Sequence, residues 1–379
     1  MKIVSNPTEG KRTQAIEALT ESGVSIWLDD LSRERISNGN LTQLIERYSV
    51  RGVTTNPSIF HNAISSGSTL YRAQIQECAQ QGLNSEDTIR LITADDVRAA
   101  CDIFRGVFEE TSGIDGRISI EVDPRLAHDT QGTIEAARDL WSLVDRENLF
   151  IKIPATLAGL PAISQVISEG ISVNVTLIFS DARYRQVIDA YTTGLEVAQR
   201  NGMDISNIQS VASFFISRVD TIVDAQLDAI GSSEAHALRG KIAVANARIA
   251  WQTHVEALES ARWKSLIGAQ VQRPLWASTG VKNPAFSDSK YVVELAAPGC
   301  VNTMPEKTLH ALLDHDQLIV DTMTDTFSQS KDIFNALENV GVDLPEILNN
   351  LEEKGVKSFA DSWRDLLGSV DTELKTAAQ

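Results

Sequence analysis

Eight short runs rich in Val and Ile, separated by longer segments of helical character, most limit how this chain can fold. The runs are residues 24–29 (VSIWLD), 52–55 (GVTT), 117–122 (RISIEV), 149–153 (LFIKI), 171–177 (ISVNVTL), 208–213 (IQSVAS), 274–279 (PLWAST) and 300–304 (CVNTM). A strand run followed by a helical segment is the unit of a parallel sheet, because parallel neighbours need a crossover long enough to hold a helix. Eight such units are what a closed (β/α)8 barrel requires. The competing architecture is an open, doubly wound sheet, whose first turn is usually glycine-rich; here that turn reads Asp29-Asp30-Leu31-Ser32. The sequence therefore predicts a single α/β domain over 1–379, a TIM barrel over about 24–315 with extra helices at the N-terminus and over about 316–379.

Local signals place the helices. Residues 13–22 read as a short helix before the first strand, and 93–96 (TADD) as a capping box opening another. Ser180 is placed to cap the helix carrying Tyr184, Val187, Ile188, Tyr191, Leu195 and Ala198, with Gly202 just beyond its end. Residues 234–258 read as one Ala-rich helix loosened by Gly240. After the eighth strand, 307–313, 316–326, 331–339 and 344–353 read as helices, and 356–376 as a last helix closing over the barrel.

Composition narrows the function classes. Against 34 basic residues stand 51 acidic ones, a net charge of −17, which argues against nucleic acid or an anionic membrane as partner. Any phosphate site must then be a local basic pocket. Cys78, Cys101 and Cys300 have no CxxC spacing, so a disulfide framework is not expected and a reducing compartment fits. The first residues, MKIVSNPTEGKRTQ, hold no apolar signal core, and no stretch is apolar enough to span a bilayer, so a cytoplasmic location is expected. The six His residues show neither HxH nor HExxH, and no metal site is expected.

Alternation along the strands selects the chemistry. In a barrel, alternate residues face the interior, and reacting groups gather at the C-terminal strand ends. Ile151 and Ile153 share the face suited to the helix layer, so Lys152 points inward. By the same rule Glu121 faces inward from the third run, Asn174 and Thr176 from the fifth, and Trp27 and Asp29 from the first, with Val173, Val175 and Leu177 outward. Asn56 stands at the mouth beyond the second run. A lone Asp or Asn at a strand end is ordinarily a turn or cap residue. A lysine between two isoleucines on a buried strand is different, since lysine is rarely buried without a partner or a purpose. The plain structural reading is an ion pair with Glu121 or Asp29. The chemical reading is a desolvated amine beside carboxylic acids, the set needed to condense with a ketone, lose water and use the iminium as an electron sink.

Four motifs in register with these strands carry a resemblance. Residues 53–59 (VTTNPSI), 121–127 (EVDPRLA), 151–156 (IKIPAT) and 174–180 (NVTLIFS) resemble the transaldolase family, and 282–288 (KNPAFSD) with 301–305 (VNTMP) look like its longer bacterial and plastid branch. The resemblance implies Lys152 as the Schiff-base lysine and Asp29 as the carboxylate that takes the proton during C–C cleavage. It implies Glu121 as an acid working through a water that Thr176 helps to hold. It also implies Asn56 and Asn174 as amides on the hydroxyls of a bound dihydroxyacetone unit, and Ser213 and Arg218 as the phosphate contacts. Independently, Arg218 opens the helix after the sixth strand, where backbone N–H groups favour an anion; its plain reading is a salt bridge with Asp220 or Glu234. Phe214 stands where many members have proline, and a second phosphate arginine has no clear counterpart, Lys282 being the substitute at hand.

The implied reaction is ping-pong transfer of a dihydroxyacetone unit from sedoheptulose 7-phosphate or fructose 6-phosphate to an aldose phosphate in the pentose phosphate pathway, with no cofactor. The competing readings are an aldolase releasing free dihydroxyacetone, a barrel that only binds sugar phosphates, and pyridoxal phosphate held on Lys152. Related small aldolases tend to carry an amide where Glu121 stands, which favours transfer. Monomer and homodimer are both left open.

Overall fold

The computed structural model of the chain describes residues 14–66, 69–315 and 321–378. Eight strands close into one barrel in chain order: β1 (Ser25–Leu28), β2 (Val50–Val53), β3 (Arg117–Glu121), β4 (Leu149–Pro154), β5 (Val173–Ile178), β6 (Ser210–Phe215), β7 (Arg273–Ala277) and β8 (Val301–Met304). Every neighbour pair is parallel, and β1 closes on β8 through Ser25↔Val301 to Leu28↔Met304. The expected TIM barrel is the observed fold. β2 begins two residues earlier than its β-branched run because Gly52 belongs to the middle of the strand. A Cβ there would lie 2.5 Å from the Trp27 indole, so only glycine lets β2 pass the inward-facing ring.

The bore is polar at both ends. At the N-terminal mouth, Arg273 of β7 donates to Asp115 Oδ1 at 3.0 Å and to Ser25 Oγ and the Gly299 carbonyl. Asp115 also accepts from Ser25 Oγ (2.6 Å) and Trp27 Nε1 (3.0 Å). The aliphatic faces of the strands meet the surrounding helices in one continuous core.

Several helix boundaries differ from the sequence expectation. Residues 93–96 do not start a helix; they lie inside Ser85–Ile103, which Asn84 caps by accepting from Asp87 N–H. Thr93 instead donates its hydroxyl to the Ile89 carbonyl, the usual way a helix interior satisfies a buried threonine. The segment 234–258 is broken into Ser233–His236 and Ile242–Glu259. Gly240 between them has φ +69° and donates to Asp224 Oδ1, with the Phe286 ring where a side chain would be. Of the expected helix 316–326, residues 316–320 lie outside the described residues, and 321–326 form a turn in which Asp321 Oδ1 accepts from the Met323 and Thr324 amides. Ser180 does cap Asp181–Arg200, and Gly202 at φ +78° follows its end. Finally, 344–353 and 356–376 are one continuous helix, Leu344–Ala377, of 34 residues.

That last helix packs on Pro57–Ser65 and reaches β5 and the helix after β6, so it crosses the C-terminal mouth. Its buried stripe is Leu344, Ile347, Leu348, Leu351, Gly355, Phe359, Leu366, Val370 and Leu374, one face of a helix at three- and four-residue spacing. Arg183 clamps it through a bidentate pair with Glu352, at 3.0 and 3.1 Å. No described helix is long and apolar enough to cross a membrane.

Candidate active site

Strand register gathers the polar groups. Glu121 of β3 lies beside Lys152 of β4, which lies beside Asn174 of β5, so three neighbouring strands send side chains into the bore at nearly one level. Lys152 is 4 % exposed, and its Nζ donates to the Thr55 carbonyl at 2.9 Å. Glu121 Oε2 stands 3.4 Å from that Nζ, an ion-pair distance rather than a well-formed hydrogen bond. The structural reading of Lys152 as half of an ion pair is thus correct as far as it goes. It does not account for the open side of the amine.

That side faces a cavity of about 100 Å³ lined by Asp29, Asn56, Lys152, Ser213, Arg218 and Phe359, together with Thr54, Ser58, Phe215, Ala277, Ser278 and Thr303. Five of the eight sequence-expected residues therefore meet at one place. Asp29 accepts from Thr54 Oγ1 at 2.7 Å, and Thr54 is in turn 2.7 Å from Thr303 Oγ1. Asp29 also borders a second, larger cavity of about 590 Å³, shared with Asp30, Ser32, Arg35, Asn38 and Asn40. Asn56 caps Pro57–Ser65: its Oδ1 accepts from Ile59 N–H and Ser58 Oγ, which leaves the amide N–H groups for a ligand.

The other three stand one layer back. Asn174 is fully buried; it donates to Ser119 Oγ at 3.0 Å and accepts from Ser213 Oγ at 2.7 Å. It therefore fixes Ser213, which lines the cavity. Thr176 Oγ1 and both carboxylate oxygens of Glu121 are buried without a hydrogen-bond partner among the described residues. Buried oxygens of this kind are costly unless something bonds them, and a water shared by acid and hydroxyl would satisfy both.

Electrostatics act on the two carboxyl groups in the same direction. Burial pushes Glu121 up to about 7, against the pull of the Lys152 ammonium. Burial also raises Asp29, with Lys152, the Thr54 hydroxyl and Arg218 acting the other way. Arg218 forms no ion pair with Asp220 or Glu234; Asp220 is engaged by the Ala243 amide and the Tyr291 hydroxyl. The guanidinium lies instead over the Phe215 ring at 5.3 Å and near the Phe359 ring at 6.0 Å, at the start of Ser217–Ile230. Lys282 is exposed on the loop after β7 and does not line this cavity.

Alternation misjudged one residue. Between Val175 and Ile178 the β5 register shifts, and Leu177 adopts φ +60°. This bulge turns Leu177 from the helix layer toward Gly355 of the last helix, whose Cβ position lies 3.1 Å from Leu177 Cδ2. Ser278 at the end of β7 is likewise left-handed, φ +56°, and meets Ser217 Oγ at 3.0 Å. Strained residues of this sort gather beside functional sites. Ser278 and Phe359 had no motif in the sequence, and Thr54 and Thr303, though inside the 53–59 and 301–305 motifs, are common residue types that nothing singled out.

Fold and site together define a (β/α)8-barrel enzyme with an amine–carboxylate centre at the C-terminal mouth. The family model described as Transaldolase/Fructose-6-phosphate aldolase matches residues 26–370. A transaldolase of Mycobacterium tuberculosis is 58% identical over 367 residues, covering 96% of this chain and 98% of that protein. One from Mycolicibacterium smegmatis is 57% identical over 96% of this chain and 98% of its own length, and the transaldolase 2 of Streptomyces coelicolor 54% over 97% and 99%. This chain belongs to the transaldolase/fructose-6-phosphate aldolase family.

Proposed function

We propose that the enzyme transfers a dihydroxyacetone unit between sugar phosphates through a Schiff base on Lys152. The observation that carries this reading is the buried Lys152 amine with a carboxylate at 3.4 Å and an open cavity shared with Asp29 and Arg218. Lys152 attacks the keto carbon of a donor such as sedoheptulose 7-phosphate or fructose 6-phosphate. Glu121, with a water held on Thr176, supplies the proton with which the carbinolamine oxygen leaves as water. Asp29 takes the proton of the hydroxyl beyond the scissile bond; that C–C bond breaks, its electron pair flows into the iminium, and an aldose phosphate departs. The resulting enamine attacks a second aldehyde, glyceraldehyde 3-phosphate or erythrose 4-phosphate, and water then releases the new ketose. Asn56 and Asn174 suit the hydroxyls of the three-carbon unit. Ser213, which donates to Asn174, suits the phosphate together with Arg218 and the Ser217 helix N-terminus.

The lysine is its own electron sink, so this chemistry needs no metal or organic cofactor. The three free, buried cysteines fit the reducing cytoplasm as its location. The acidic net charge disfavours nucleic acid, and Arg218 at the cavity favours sugar phosphates as partners. Sedimentation separates a monomer of 41.4 kDa from a homodimer.

Borohydride reduction in the presence of fructose 6-phosphate tests the mechanism. A reduced three-carbon adduct on the peptide holding Lys152, lost in Lys152→Ala, is the expected result. No adduct with any ketose phosphate would overturn it. Carbon transfer to an added aldose phosphate, with little free dihydroxyacetone, separates the transferase from the aldolase reading.

A further inference from the structure

The last helix brings an aromatic ring to the reacting nitrogen. Phe359 is 6 % exposed, and its ring centroid lies 5.5 Å from Lys152 Nζ and 6.0 Å from the Arg218 guanidinium carbon. It also meets Phe215 edge-on at 6.5 Å, and Phe215 meets Phe179 at 5.2 Å. One turn earlier, Gly355 lets the helix approach Leu177 and Phe179 more closely than a side chain would allow. The Arg183–Glu352 pair holds the same turn from the outside. Phe215 thus packs on the ring while Gly355 and Glu352 hold the helix that carries it, and the ring lines the cavity that holds Lys152.

We infer that Phe359 is the residue that keeps the bound three-carbon unit on the transfer path and out of the reach of water. The inference rests on the Schiff-base reading above. After cleavage the unit is an enamine on Lys152, in equilibrium with a cationic iminium at the same nitrogen. Two fates compete. In transfer, the enamine carbon forms a bond to an aldehyde carbon, and the aldehyde oxygen takes the proton held by Asp29. In leakage, the enamine carbon takes a proton instead; water then adds to the iminium carbon, the C–N bond breaks, and free dihydroxyacetone leaves the regenerated amine. Leakage consumes one water and leaves no acceptor product.

A ring face over the nitrogen acts against the leakage branch. It has no proton to give the enamine carbon, and it covers one side of the nitrogen at 5.5 Å. Its bulk removes room for water beside a carbon that must wait for an acceptor. Phe359 makes no covalent or proton-transfer contact, so it is a positioning and specificity residue rather than an acid or base.

The test measures partition on the full-length enzyme. Wild type, Phe359→Ala and Phe359→Leu are given fructose 6-phosphate with and without an aldose phosphate, and free dihydroxyacetone is measured against transferred carbon. Borohydride trapping on Lys152 is run in parallel. The expected result is an adduct on Lys152 in all three proteins. The ratio of free dihydroxyacetone to transfer rises about fivefold or more in Phe359→Ala, and less in Phe359→Leu, which keeps bulk and loses the π face. A merely structural role would lower both products together and leave their ratio unchanged. Should the alanine variant fail to fold, the leucine variant decides, since a volume-conserving change keeps the core filled. An unchanged ratio in trapping-competent variants overturns the inference alone. No adduct in the wild type overturns the Schiff base itself, and this inference with it.

Discussion

Glu121 sits where its charge costs the fold something and where, on the proposed mechanism, its proton serves the reaction. Its side chain is 4 % exposed and its carboxyl titrates near 7, above the ordinary 4.5. A carboxyl raised on folding binds its proton more tightly in the native state, so stability is greatest below the unfolded value and falls as pH rises through the native one. Glu121→Gln should therefore melt higher than wild type at pH 8, by up to about 3 kcal/mol in stability, with the advantage closing between pH 7 and 4.5. Thermal melts across that range check it, and a Gln variant less stable at pH 8 would contradict it. Asp29→Asn should keep the trapped adduct and lower kcat by about 100- to 10,000-fold, since on the proposed mechanism it removes the base for cleavage and not the amine. Single-turnover kinetics with fructose 6-phosphate separate the two. Lys152, Glu121 and Asp29 were legible because strand alternation sorts a charged residue among isoleucines to the inner face. Asn174 was legible as inward but not as the support of Ser213, because hydrogen bonding between β5 and β6 depends on register, which no single strand encodes.

Gly355 decides how close the last helix comes to the barrel. Its Cβ position meets Leu177 Cδ2 at 3.1 Å and Phe179 Cε2 at 3.4 Å, contacts that a methyl group strains and a branched side chain breaks. Gly355→Val should destabilise by about 1–3 kcal/mol and should leak dihydroxyacetone, because Phe359 is carried away with its own turn. Gly368→Ala on the same helix meets nothing within 4 Å and should be neutral or stabilising by about 0.5–1 kcal/mol. Urea melts of the pair compare them; equal effects would mean that the glycine is incidental. The helix itself was readable from its apolar spacing, but it read as two pieces because Gly355 looks like a terminus in one dimension. Its tight contact explains the glycine only in three. The reverse error occurred at Gly240, where a run of alanines hid a true break: the Asp224 carboxylate and the Phe286 ring that fix it lie far along the chain.

Across the whole molecule, stability and chemistry sit at opposite ends of one bore. Arg273, Asp115, Ser25 and Trp27 close the N-terminal end with hydrogen bonds of 2.6–3.0 Å among buried groups. Arg273→Ala strands the Asp115 carboxylate and should cost about 3–5 kcal/mol, while kcat at a temperature where the variant stays folded changes by no more than about twofold. Denaturant titration with steady-state kinetics checks both halves, and a large loss of kcat would show that the two ends are coupled. The barrel was legible because eight strand–helix units admit few other closures; the plug was not, because Asp115 lies outside every strand. At the chemical end, Asp29 borders two cavities, only one of which holds Lys152. On the proposed mechanism the sugar fills the cavity that Lys152 lines, and the other gives Asp29 a second side from which to trade hydrogen with solvent, so hydrogen and carbon have separate doors. Label from heavy water should then wash onto the Asp29 carboxyl while the three-carbon unit is still held fast.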